Sequence, residues 1–194
     1  MKRFRLPSAA LCLLCALAIL PLLAGCGDAQ KPPKAEAPAA TAQTPADLLG
    51  PRYKATLAQG IDFSRDGFPE FLSAVEGLSL KENWGRWSDA NLAPSVKLSF
   101  AAPLPRKLQV VLTATTLGEN DRLPFAMRIG GVEKSFSVSS TGMRDIALEF
   151  ELAADASQIE IVAPKPVSPK ELGKSEDARR LGIGLAALRI TERK

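Results

Sequence analysis

Phe125-Ala126-Met127-Arg128-Ile129-Gly130-Gly131-Val132-Glu133-Lys134-Ser135-Phe136-Ser137-Val138 is the stretch that decides the fold class. Phe125, Met127 and Ile129 recur at every second position, and Val132, Phe136 and Val138 share one parity on the return. Side chains of a strand alternate between two faces, so each run reads as a half-buried strand rather than a helix. Gly130-Gly131 between them supplies the positive φ angles of a tight hairpin turn. Outward from this hairpin the alternation continues. Val96-Lys97-Leu98-Ser99-Phe100 and Leu108–Ala114 precede it, divided by the turn-rich Pro103-Leu104-Pro105. Asp145–Leu152, Ile159–Val162 and Gly182–Ile190 follow. About seven or eight such strands predict an all-β fold, an antiparallel β-sandwich of the jelly-roll kind. Phe68, Phe71, Leu72 and Val75 are spaced as on one helix face, which predicts a single short helix over Asp66–Val75.

The start of the chain has a different character. Lys2, Arg3 and Arg5 precede an apolar run from Ala9 to Leu23, the layout of a secretory signal. The run falls short of the ~20 residues that span a bilayer as a helix, and Pro21 interrupts it. Leu23-Ala24-Gly25-Cys26 resembles the lipobox of bacterial lipoproteins. That resemblance implies cleavage before Cys26 and acylation of its thiol, palmitate being one such chain. The expected division is a signal peptide over 1–25, a tether over 26–52 and the sandwich over 53–194. Lys31-Pro32-Pro33-Lys34-Ala35-Glu36-Ala37-Pro38 has nothing to bury, so the tether is expected to be disordered. The anchor would hold the protein to the cell envelope, facing the periplasm. Gly27 after the cysteine leans toward the outer membrane, while Asp28 leaves the inner membrane open.

Composition excludes several chemistries. The chain has no histidine, and its three cysteines are Cys12, Cys15 and Cys26. The first two lie in the apolar leader and the third would be spent on lipid. Histidine triads, zinc thiolates and cysteine nucleophiles are therefore unavailable to the mature chain. Formal charge is +4, from 25 basic and 21 acidic residues, and losing Lys2, Arg3 and Arg5 leaves +1. Such a balance does not point to nucleic acid. Asp89 and Asp177 are the carboxylate pair that a glycosidase reading would need, but two acids among 21 do not specify one. The expectation is a protein without catalytic residues, metal or cofactor.

Trp84-Gly85-Arg86-Trp87-Ser88-Asp89 contains both tryptophans of the chain. Indole faces stack on the apolar CH faces of sugars, with Arg86 and Asp89 available to orient hydroxyls. Were the whole segment a strand, Arg86 would share a face with Trp84, and Trp87 would lie opposite. At most one ring would then be a platform and the other core, the alternative being that both pack in or near the core. A second cluster runs from Pro164 to Gly182, where three prolines forbid a central strand and predict a long ordered loop. Within it Asp177 and Arg179 share a parity, which suits an ion pair that fixes the loop to the sheet.

Trp84-Gly-Arg-Trp-Ser-Asp89, Pro103-Leu-Pro105 and Ser168-Pro-x-Glu-Leu-Gly-x-Ser-x-Asp-x-Arg-x-Leu-Gly-Ile-Gly-Leu185 resemble the accessory domain that follows the catalytic domain of periplasmic phosphoglycerol transferases. The likeness extends from about Ile61 to Thr191, and similar domains accompany some envelope glycosyltransferases. It implies a carbohydrate-binding-like sandwich associated with enzymes that modify membrane-derived glucans. It implies no transferase activity, because those enzymes' catalytic residues are not matched. The expected function is therefore a lipid-anchored domain that binds an envelope glycan or assists its modification. Trp84, Arg86, Trp87, Asp89, Asp177 and Arg179 are its candidate ligand residues. The alternative is an interaction module that docks an envelope protein partner.

Overall fold

A computed structural model describes residues 49–194. Cys26, the leader and the tether residues before Leu49 lie outside the described residues. Two five-stranded sheets face each other across one apolar core. The first contains β5 (Arg86–Asp89), β12 (Leu181–Glu192), β7 (Lys107–Thr116) and β10 (Arg144–Glu151). Its fifth strand, β2 (Ile61–Asp62), lies beside the later part of β12. The second runs β4 (Leu72–Glu76), β6 (Val96–Phe100), β11 (Gln158–Val162), β8 (Pro124–Ile129) and β9 (Val132–Ser137). A short parallel pair, β1 (Arg52–Tyr53) with β3 (Phe68–Pro69), lies outside both sheets.

The order is that of a jelly roll. From β5 to β12 the chain alternates between sheets at every step except the β8–β9 hairpin, giving β5–β12–β7–β10 opposite β6–β11–β8–β9. All pairings within these sheets are antiparallel. Alternation delivers the core as expected: Val96, Leu98 and Phe100 of one sheet and Leu108, Val110 and Leu112 of the other belong to the same buried core. Packing of the domain already includes Leu49, which is 3% exposed. Among the described residues no helix is long and apolar enough to cross a membrane.

The helix expected over Asp66–Val75 does not form. Gly67 takes φ +74 and a Cβ there would collide with the Pro51 carbonyl, Phe68–Pro69 pairs with Arg52–Tyr53, and Leu72–Glu76 is a strand. The helical spacing has a local origin. Leu72 and Ala74 oppose the adjacent pair Phe100 and Ser99, so one extra residue is bulged out of β4. A bulge shifts the parity of a strand, and it brings Leu72 and Val75 onto the buried side three positions apart. The same device operates in β12, where the register slips between Leu185 and Ala187. Ile183 and Leu185 before it, and Leu188 and Ile190 after it, all reach the core.

The two outer faces differ. Across the second sheet Glu76, Lys97, Glu160, Arg128 and Glu133 are cross-strand neighbours of alternating sign. Arg128 lies 3.2 Å from Glu160 and 2.7 Å from Glu133. The Glu160 carboxyl is held below its ordinary range, first by a 2.6 Å hydrogen bond donated by Ser95 and then by Arg128. This face is internally satisfied. The outer face of the first sheet carries the two tryptophans.

Candidate functional site

Trp84 precedes the strand rather than belonging to it. The Gly85 N–H donates to the Glu82 carbonyl at 3.3 Å, which closes a β-turn with Asn83 and Trp84 at its corner. Gly85 sits at φ +153, and a Cβ there would lie 2.1 Å from the Leu185 carbonyl oxygen. Only glycine lets the turn approach β12 this closely. Trp87 opposes Gly184 on β12, whose neighbours Ile183 and Leu185 point into the core, so Trp87 stands on the outer face. The turn brings Trp84 back to that same side. The two rings meet edge to face, 5.3 Å between centroids and 80° between planes.

The expectation that the two indoles point to opposite sides is thus overturned, because strand parity begins only at Arg86. Arg86 and Trp87 do face opposite ways. The pair is seated on a glycine: a Cβ at Gly184 would lie 2.8 Å from Trp84 Cη2 and 3.1 Å from both Trp87 Cζ3 and Thr115 Cγ2. Thr115 is the partner of Gly184 on β7, so Thr115, Gly184 and Trp87 form one row across three strands. Both indoles are half-buried.

Asp177 and Arg179 lie beside this pair, linked to it through Glu82. Trp84 Nε1 donates to Glu82 at 3.0 Å, and Arg179 Nη2 donates to the other Glu82 oxygen at 3.1 Å. Arg179 also donates to Asp177 at 2.7 Å and to Ser79 Oγ at 3.2 Å. The guanidinium holds the Asp177 carboxyl below its ordinary range, through side-chain hydrogen bonds first and the Arg179 backbone N–H second. Arg179 is raised in turn, chiefly by Asp177. The pair fixes the loop before β12 to the β4–β5 connection. Upstream, Ser168 N–H donates to the Glu171 carboxylate while Glu171 N–H donates to Ser168 Oγ, a reciprocal capping box. Gly173 then ends the turn at φ +66. Those interactions account for Ser168, Glu171 and Gly173 of the Ser168-Pro-x-Glu-Leu-Gly pattern.

The other two candidates stand elsewhere. Asp89 is 5% exposed, and its Oδ1 accepts the backbone N–H groups of Asn91 and Arg180. It ties the end of β5 to the last loop. Arg86 shares the inward side with its partner Leu185 and lies over the Phe68 ring, 5.0 Å from its centre. It forms one wall of an open groove of about 500 Å³. Phe68, Val75 and Leu78 contribute apolar surface, while Leu80 and Leu92, 87% and 63% exposed, belong to the same groove. Sequence reasoning missed Glu82, Thr115 and this groove. Leu80 and Leu92 lie in irregular segments where no periodicity marks them.

Among the described residues no group of three histidine, cysteine, aspartate or glutamate side chains is placed to hold a metal ion.

Comparison with known proteins agrees with the motif resemblance. The chain is 38% identical over 145 residues to Phosphoglycerol transferase I of Escherichia coli O139:H28 (strain E24377A / ETEC). The same identity and length are found with the protein of that name from Shigella boydii serotype 18 (strain CDC 3083-94 / BS512) and from Escherichia coli O157:H7 (strain EC4115 / EHEC). The match covers 73% of this chain and only 18% of each of these relatives. No solved structure matches it. Residues 50–192 match a family described as Domain of unknown function (DUF7024), and the chain belongs to that family.

Proposed function

We propose that this chain is a non-catalytic glycan-binding protein of the cell envelope, tethered by lipid on Cys26, with Trp84 and Trp87 as its sugar platform. The observation that carries the reading is the seating of two indoles on Gly184, on the outer face of a sheet, beside Thr115. Edge-to-face packing leaves ring surface at the solvent boundary, where a pyranose CH face stacks well. Glu82 and Arg179 border the rings and supply an acceptor and a donor for hydroxyls. Arg86 and Asp89 have no part in this platform: one faces the groove and the other is buried.

The domain is shared with proteins named for phosphoglycerol transfer but covers a small part of their length, which supports an accessory rather than a catalytic role. A glucan of the periplasm or cell surface is the ligand class that the resemblance implies.

Calorimetric titration of the purified protein with glucan oligosaccharides tests the platform. Trp84→Ala and Trp87→Ala should each weaken binding by about tenfold or more, as expected of an aromatic anchor. Unchanged affinity in both variants, with the fold intact by circular dichroism, would refute it. Acylation is tested separately: labelled fatty acid should enter the wild-type protein in cells and be lost in Cys26→Ser.

A further inference from the structure

From the groove we infer a second binding site, for an amphiphile with an apolar chain and an anionic head group. Its chain would lie between Leu80 and Leu92 over Phe68, Val75 and Leu78, and its head would meet Arg86. Two exposed leucines beside a recess of this size give it an apolar rim and floor of the kind that receives a hydrocarbon chain. The character of Arg86 selects the head group. Among the described residues it makes no ion pair; Asp66, the carboxylate whose charge acts on it, is paired with Lys81 at 3.1 Å. Its two hydrogen bonds run to the Ser79 and Arg65 carbonyls at 3.3 and 3.4 Å, both long, and its Nε is buried without a partner. The other charged group of the groove, Glu76, is already opposed by Lys97 at 3.8 Å.

A half-buried guanidinium without a carboxylate in contact, in a recess walled mainly by Phe68, Val75, Leu78, Leu80 and Leu92, is complementary to an anion that carries its own hydrocarbon. The chain enters the fold beside this recess, where the Pro51 carbonyl accepts the Phe68 N–H. This site is separate from the tryptophan platform, which lies on the opposite face of β5.

Titration of the full chain with dodecanoate below its micelle concentration, followed by backbone amide NMR, tests the inference. Dodecyltrimethylammonium and dodecyl maltoside serve as cationic and neutral comparators. Saturable shifts should concentrate at Leu78–Leu80 and Leu92, with dodecanoate bound at least about tenfold more tightly than the cation. Leu80→Asp and Leu92→Asp, both at exposed positions, should abolish binding. Arg86→Gln should erase the preference for the anion while retaining weak binding of the neutral chain. Trp84→Ala and Trp87→Ala should leave dodecanoate affinity unchanged, which separates this site from the sugar platform. Equal affinity for cation and anion, or insensitivity to both leucine substitutions, would overturn the inference. So would a groove that ignores dodecanoate yet crosslinks to a protein partner through position 80.

Discussion

Gly184→Ala is the smallest change that addresses the tryptophan platform. Gly184 does not occupy the left-handed region, so alanine carries no backbone penalty there and should gain ~0.5–1 kcal/mol by restricting the unfolded chain. Against this, the new methyl would lie 2.8 Å from Trp84 Cη2 and 3.1 Å from Trp87 Cζ3 and Thr115 Cγ2. Trp84 is held by its hydrogen bond to Glu82 and by its edge-to-face contact with Trp87, so yielding to the methyl disturbs both. Overpacking of this kind costs ~1–3 kcal/mol. The net expectation is a loss of about 1–2 kcal/mol, which in a domain of roughly 150 residues lowers Tm by about 3–7 °C. Differential scanning calorimetry measures the shift, and near-UV circular dichroism reports the changed ring geometry. In a Trp84→Ala background the closest contact is gone, and Gly184→Ala should become neutral or mildly stabilising. The double-mutant cycle should therefore show a coupling of ~1 kcal/mol or more. A neutral or stabilising Gly184→Ala in the otherwise wild-type protein, with an unchanged near-UV spectrum, would refute the argument that glycine is there to seat the rings.

Two further outcomes follow from the last loop and strand. A Cβ at Gly182 would lie 2.3 Å from Ala163 Cβ and 3.0 Å from Ser88 Oγ, so Gly182→Ala should cost ~2–3 kcal/mol in denaturant unfolding, and adding Ala163→Gly should restore much of it; simple additivity of the two changes would show the contact to be irrelevant. The Asp177 carboxyl titrates below its ordinary value of ~3.9 in the folded protein, so its stabilising effect is present above that value and is lost as pH falls through the lower folded one. Arg179 is partly exposed, which limits the cost of Asp177→Asn at neutral pH to no more than ~1 kcal/mol. Unfolding curves of the two proteins should differ at neutral pH and converge in acid; a gap that persists below the folded titration would mean that charge is not what Asp177 supplies.

Much of the architecture was legible in the sequence, because strand alternation is imposed by backbone geometry and the core must collect the apolar parity. Val96–Phe100, Leu108–Ala114, Phe125–Ile129 and Ile159–Val162 alternate as strands in the sequence and lie within strands of the structure. The error at Asp66–Val75 has the same root. A bulge in β4 changes parity by one residue, and a sequence seen without its partner strand cannot distinguish that slip from helical spacing. The candidate site was half legible. The density of Trp84-Gly-Arg-Trp87 marked the region, and the shared parity of Asp177 and Arg179 matched the ion pair that forms. The side on which each tryptophan stands was not legible, because the turn at Asn83-Trp84 is closed by a bond to Glu82 and permitted by the proximity of Leu185, about a hundred residues away.

What the sequence determined by itself about this chain is therefore local. It carries an all-β pattern, a lipobox-like Cys26 ahead of an Ala/Pro-rich stretch, no histidine, and one aromatic cluster. Tertiary structure decided the relations between distant segments. Gly184 of β12 seats the rings of β5 and its turn, Asp89 ties β5 to Arg180, and Arg86 turns away from both tryptophans into a groove edged by Leu80 and Leu92. Each depends on which strands are neighbours and in what register, and these are fixed by the collective packing of the core rather than by any one segment.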